Sequence, residues 1–261
     1  MLTKLSMHQY NNIRYTDKPN LPQGKVTLAA ISAQAGESAK KLNSLGIETI
    51  SIKPDSRLPT PVNSHADIQL LHFNKNNLFV YNEHLFSGDW VTNFHIKKIS
   101  ETPGNKYPHD VRLNCTIIGN HIICNTKTVS KDILKAAESA GLTVINVNQG
   151  YSGCSVCVVD ENSIITDDES IFAAAGNFLN DALLISKGSI GLNGYNYGFI
   201  GGCCGKIDKN KIAFNGIIES HKDYYKITDF LSKRNIECIE LSSEPLYDIG
   251  GIIPLCEVDI L

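Results

Sequence analysis

One supersecondary unit recurs along this chain, and the repeat is clearest in the middle. His121-Ile122-Ile123-Cys124 reads as a short apolar strand. Ser130 then caps a helix with apolar Ile133, Leu134, Ala137 and Ala140, and Gly141 stops it. Strands over 142–147 and 151–159 follow, before the turn Asp160-Glu161-Asn162. The order strand, helix, strand, strand starts again at Ser163, with a helix around 169–178 and strands over 182–186 and 198–207. After the turn Asp208-Lys209-Asn210 it recurs at Lys211, with a helix over 223–234, a strand over 236–241 and a final strand from Asp248. Upstream, one copy comprises strand 26–31, helix 37–45 and strands 47–52 and 65–73. The next comprises strand 77–80, a helix around 86–93 and strands 94–99 and 109–118.

The five copies begin near residues 26, 77, 120, 163 and 211. Tight hairpins join them, which argues against a doubly wound parallel sheet, because parallel crossovers need helices at those points. The first strand has no preceding partner and the last has no following one. Pairing these two closes a ring and removes both exposed edges. The expected class is therefore α/β, with five βαββ units in a pseudo-fivefold ring, an α/β propeller. Residues 26–261 form a single domain. Residues 1–25 carry Asn, Pro and Gly without a sustained period and read as an N-terminal tail or strap.

Composition narrows the function classes. With 24 basic and 27 acidic residues the formal net charge is −3, so there is no basic field for nucleic acid. No uninterrupted apolar run reaches the roughly 18 residues of a transmembrane helix, and the N-terminal residues lack a signal-peptide pattern. The expectation is a cytoplasmic protein with no nucleic-acid or membrane partner, and with self-association left open. The eight cysteines then read as reduced thiols, too sparse for a disulfide scaffold, each starting as a buried packing residue.

Counting back twelve residues from the start of the following strand finds His65, His109, Tyr151 and Phe199 in equivalent places of consecutive copies. His65-Ala66-Asp67 puts His and Asp at i and i+2, on one face of a strand. Asp110 follows His109, and Asp248 opens the last front strand, although strand starts favour polar residues in any case. Cys154 and Cys157 face opposite sides of a strand, so they suit neither a shared metal nor a redox disulfide, and Cys203 and Cys204 likewise point apart. No metal site is expected. Gly201-Gly202-Cys203-Cys204-Gly205-Lys206 looks like a phosphate loop, but Ile200 and Ile207 stand where Gly and Ser or Thr are needed. Its glycines are expected to let front strands approach closely at a crowded axis.

Four segments carry a resemblance to a known family: His65-Ala66-Asp67, Gly153-Cys154-Ser155-Val156-Cys157, Tyr197-Gly198-Phe199-Ile200-Gly201-Gly202 and Asp248-Ile249-Gly250-Gly251-Ile252-Ile253-Pro254-Leu255. Over 26–261 the chain resembles the pentein, or guanidino-group-modifying enzyme, superfamily, and in particular an uncharacterised bacterial family of that fold. The resemblance implies a Cys thiolate that attacks a guanidinium carbon, a His acting as acid and base, and carboxylates that clamp the planar cation. It implies no cofactor. In that superfamily the Cys lies in the last copy after a Gly-Gly. This points to Cys256, five residues after Gly251, whose flanks also read as an ordinary closing strand. Cys154, after Gly153 at a strand start, is the second candidate nucleophile. His65 is the expected acid and base, and Asp67, Asp110, His109 and Asp248 are the candidate substrate ligands.

The function these residues imply is a Cys-dependent hydrolase or amidinotransferase acting on a small guanidino or amidino compound. The alternative is a non-catalytic ring that binds a ligand or assists assembly, as in a ribosome-associated initiation factor of this fold. A third reading is a metalloprotein that uses His65, Asp67 and His109.

Overall fold

The computed structural model describes residues 13–83 and 94–259, so the helix expected around 86–93 lies outside the described residues. A short strand, β1 (Arg14–Tyr15), precedes the first unit, which comprises β2 (Lys25–Ser32), α1 (Gly36–Ser44) and β3 (Glu48–Ile52). The second front strand follows the helical turn α2 (Ala66–Gln69), and β4 (Leu70–Asn74), β5 (Asn77–Val80) and β6 (His95–Lys98) form its sheet. The third unit comprises β7 (Thr116–Ile118), β8 (His121–Cys124), α3 (Lys131–Ser139) and β9 (Thr143–Asn146). The fourth comprises β10 (Val156–Asp160), β11 (Ser163–Thr166), α4 (Glu169–Ala175) and β12 (Asp181–Leu184). The fifth comprises β13 (Cys204–Asp208), β14 (Lys211–Phe214), α5 (Tyr224–Ser232) and β15 (Glu237–Glu240), and β16 (Ile253–Val258) follows.

The same sheet is built five times. A front strand pairs antiparallel with the middle strand through a hairpin, and the middle strand pairs parallel with the strand that follows the helix. In the first sheet the front strand is β16, which pairs antiparallel with β2 with Ile253 opposite Ala30. The last strand thus completes the first sheet, as the two unpartnered edges required. None of the helices described is long and apolar enough to cross a membrane.

Each middle strand carries apolar residues on both of its faces, because each face packs on a different neighbour. Ile122 and Cys124 of β8 pack toward the second unit, while Ile123 packs toward the fourth. Ile212 and Phe214 of β14 face the fourth unit, and Ala213 faces the first. The core is therefore five clusters, one between each pair of neighbours, and the cluster holding Val26, Ile31, Ile207 and Ala213 joins the fifth unit to the first. That last cluster closes the ring. Helix ends follow local chemistry: Ser130 accepts from the Asp132 N–H, Asp168 accepts from Ser170 and Ile171, and Gly46 and Gly141 take positive φ after α1 and α3.

The segment before β2 crosses one end of the ring. β1 pairs with β16, and the buried Glu257 carboxylate accepts from Arg14 Nε at 3.1 Å and from the N–H groups of Gln23 and Gly24. Asn20 donates to the Ile117 carbonyl at 3.1 Å, and Leu21 packs in the core between the third and fourth units.

Every front strand starts later than its pattern indicated. They begin at Leu70, Thr116, Val156, Cys204 and Ile253, where the sequence pointed to 65, 109, 151, 198 and 248. The residues so released form turns at the axis. Five strands converging on one point leave no room for side-by-side pairing: a Cβ on Gly201 would overlap the carbonyls of Gly153, Cys154 and Val156. The same-face relation expected of His65 and Asp67 is therefore replaced by a helical turn, in which His65 precedes α2 and Asp67 lies within it.

Candidate active site

The five turns join in a closed circuit of hydrogen bonds around the axis. Asp67 N–H donates to the Gly250 carbonyl, Gly251 N–H to Gly202, and Gly202 N–H to Cys154. Gly153 N–H donates to Asn114 Oδ1 at 2.8 Å, and Asn114 Nδ2 donates to the Asp67 carbonyl at 3.0 Å. Gly250 and Gly251 hold φ of 78° and 75°, and a Cβ on Gly250 would run into His65. The glycine pair thus makes space for the histidine.

Three groups with reactive chemistry meet at this circuit: the Cys154 thiol, the His65 imidazole and the Asp248 carboxylate, all buried. They line a cavity of about 220 Å³. Its walls are mainly apolar and aromatic: Tyr151, Phe199, Tyr197 and Tyr195, with Leu192 and Val62. Asp248 Oδ2 accepts from Phe199 N–H and Oδ1 from Gly250 N–H, each at 2.9 Å, which fixes the carboxylate between the fourth and fifth turns. His65 Nδ1 lies 3.6 Å from Asp248 Oδ1 and has no hydrogen-bond partner. Burial lowers the His65 pKa, opposed by the charge of Asp248, so the resting ring is neutral at pH 7.

Asp67 approaches the Cys154 thiol from behind. Its two oxygens are fully buried without a well-formed hydrogen bond, and the donors near them are the thiol and the N–H groups of Asp67 and Ile68. Burial and the neighbouring Asp248 raise its pKa to about 7. Burial, Asp67 and Asp248 together push the Cys154 thiol well above its ordinary value. One contact acts the other way: Asn114 Nδ2 donates to Cys154 Sγ at 3.1 Å, which favours the thiolate. The same amide receives the Gly153 and Cys154 N–H groups on its oxygen, so Asn114 positions the thiol. In the resting site the thiol is neutral.

His65, Cys154 and Asp248 are thus brought together, with Asp67 behind them. Cys256 is not among them. It sits inside β16, opposite Leu28 and Tyr15, and packs in the core between the first and second units. Burial raises its thiol to about 12. The turns that lengthen toward the axis end before β16 begins, so a cysteine five residues past the glycines falls in the sheet.

Asp110 is buried but does not line the cavity; its Oδ2 accepts from the Tyr151 hydroxyl, so it reaches the site only through that ring. His109 is exposed, with Nδ1 3.3 Å from Arg112 Nη2, and does not line the cavity. The metal reading needed His109 beside His65 and Asp67. Among the described residues no three His, Cys, Asp or Glu side chains are grouped as a metal site.

Tyr151 and Phe199 sat at the twelve-residue count with His65, and that count does find cavity positions in three of its four copies. Tyr197 stood only as the first residue of the segment 197–202, and Asn114, Leu192 and Tyr195 carried no signal, because loop residues have no periodicity to mark them.

Solved structures with the same architecture come from several enzymes. An inosamine-phosphate amidinotransferase from Streptomyces griseus superposes with a TM-score of 0.57 at 11% identity, covering 95% of this chain and 99% of that one. A Cys-to-Ser variant of C. jejuni agmatine deiminase with substrate bound gives 0.54 at 12% identity, covering 89% and 92%. DDAH from Pseudomonas aeruginosa, complexed with citrulline, gives 0.52 at 10% identity, covering 88% and 96%. At these identities the likeness is one of fold, which is the pentein fold. Among curated proteins none matches. The profile described as "Family of unknown function (DUF6873)" matches residues 30–253, most of the chain, and the chain belongs to that family.

Proposed function

We propose that this protein is a Cys-dependent enzyme that acts on a small guanidino or amidino cation, with Cys154 as the nucleophile. The observation that carries the reading is the convergence of a thiol, an imidazole and the Asp248 carboxylate on one aromatic cavity, with the buried Asp67 carboxylate beside the thiol. The carboxylates have unused acceptor capacity, and a planar cation with several N–H groups satisfies it. Its positive charge also reverses the resting electrostatics, stabilising Asp67 as carboxylate and Cys154 as thiolate.

His65, neutral at rest, takes the thiol proton. Sγ then bonds to the amidino carbon, whose C–N π electrons move onto nitrogen. His65 returns the proton to the departing amine as the other C–N bond breaks, leaving an amidino thioester-like adduct on Cys154. A water molecule attacking that carbon makes the protein a hydrolase, and a second amine makes it an amidinotransferase. In either case His65 accepts the proton of the attacking group and returns it to Sγ.

Treatment of the native protein with 2-chloroacetamidine, followed by mapping of the labelled cysteine, tests this. The expected result is rapid labelling of Cys154 alone, slowed by guanidino compounds. Labelling no faster than in the unfolded chain sinks the covalent mechanism. The ring would then be a binding module, which the raised resting pKa of Cys154 favours.

A further inference from the structure

The cavity walls carry a preference beyond the cation head. Tyr151 has Phe199 and Tyr107 as ring neighbours, with centroids 6.1 Å and 6.2 Å away and interplanar angles of 26° and 32°. Tyr197 meets Phe199 edge-on at 5.9 Å and 83°. Rings pair with one another in such offset and edge-to-face arrangements with a gain beyond the area they bury, so an aromatic wall favours a ligand ring over a polar chain.

Charge on the walls points the same way. Among the described residues lining the cavity there is no Arg or Lys, and its one acidic side chain is Asp248. A ligand carboxylate would lose its water beside like charge with no cation to meet it, which is costly. The volume of about 220 Å³ is below the roughly 300–1,000 Å³ of sites for drug-sized ligands. Resting on the reading of the site given above, we infer that the substrate is an arylalkyl guanidine or amidine without a carboxylate, its head at Asp248 and Cys154 and its ring against Tyr151 and Phe199.

Calorimetric titration of the native full-length protein with phenethylguanidine, agmatine, arginine, methylguanidine and phenethylurea tests this. Phenethylguanidine should bind at least tenfold more tightly than arginine or agmatine. Phe199→Ala should remove about fivefold of its affinity and change that of methylguanidine by less than twofold. Phe199→Leu, which keeps most of the volume, should show the same pattern if the ring is what matters. Asn196→Arg, at an exposed lining position, should raise arginine affinity about tenfold by supplying the missing cation. Arginine or agmatine binding as tightly as phenethylguanidine overturns the inference and leaves the cation-head reading standing. So does an affinity for phenethylguanidine that is indifferent to both Phe199 variants, or an arginine affinity unmoved by Asn196→Arg. Phenethylurea binding as tightly as phenethylguanidine overturns the cation head, and the inference falls with it.

Discussion

Cys154 and Cys256 are both buried thiols close after glycine, and the same burial raises the pKa of both. Cys256 is held in β16, where Leu28 and Tyr15 oppose it and the core between the first and second units encloses it. Cys154 is held in a turn, where the Asn114 amide donates to it, the Asp67 carboxylate faces it, and a cavity opens beside it. The difference lies in what the backbone leaves free. In a strand, pairing uses the main-chain groups and alternation commits each side chain to one of two cores. In the axial turns main-chain groups and the Asn114 amide close a circuit around the axis, and other side chains are left to line the cavity.

Exchanging each thiol for alanine gives the sharpest test of that contrast. Cys154→Ala should lower kcat/KM on any guanidine that is turned over by about a thousandfold or more. Cys256→Ala should leave it within about threefold, and the opposite ranking in steady-state kinetics would reverse the assignment. His65→Gln, the next largest effect, should cost about a hundredfold in kcat while leaving ligand affinity nearly unchanged, because it removes proton transfer and not a cation ligand.

Asp67 extends the comparison to stability. Its carboxyl titrates near 7 in the fold against the ordinary 3.8, so the folded state holds a proton that the unfolded chain releases between those values. The stabilisation is complete below the ordinary value and is lost as pH rises through 7, where the buried charge costs up to about 4 kcal/mol. Asp67→Asn should therefore stabilise the protein more at pH 8 than at pH 5, as read from urea midpoints, while lowering activity. Equal midpoint shifts at both pH values would break the link between the site's charge and its strain. Cys256→Ala, a cavity in a packed sheet, should cost about 1–2 kcal/mol at either pH. The smallest effect is expected at Lys18→Ala, within about 0.5 kcal/mol, because its ion pair with Glu161 is half exposed on both sides.

How much of the site was legible follows the same division. His65, Asp67, Asp248 and Cys154 were readable as candidates because each stands in a polar or glycine-marked stretch just before an apolar strand. The preference for Cys256 came from the resemblance, which places the nucleophile in the last copy after a Gly-Gly. That placement assumes the front strand reaches the axis, and β16 starts only at Ile253. Asn114 escaped notice because its role consists of contacts with Asp67 and Cys154, residues distant in sequence.

Local information in the sequence determined the order of elements, the five repeats, the caps at Ser130 and Gly141, and the pairing of the first strand with the last. Each of these depends on periodicity or turn chemistry within about ten residues, or on an edge left without a partner. The tertiary structure decided where the front strands stop, which thiol reaches the cavity, and that Asp67 and Asp248 share one buried site. Those depend on five turns, spread from His65 to Gly251, meeting at one axis too narrow for strands, and no stretch of the chain carries that constraint by itself.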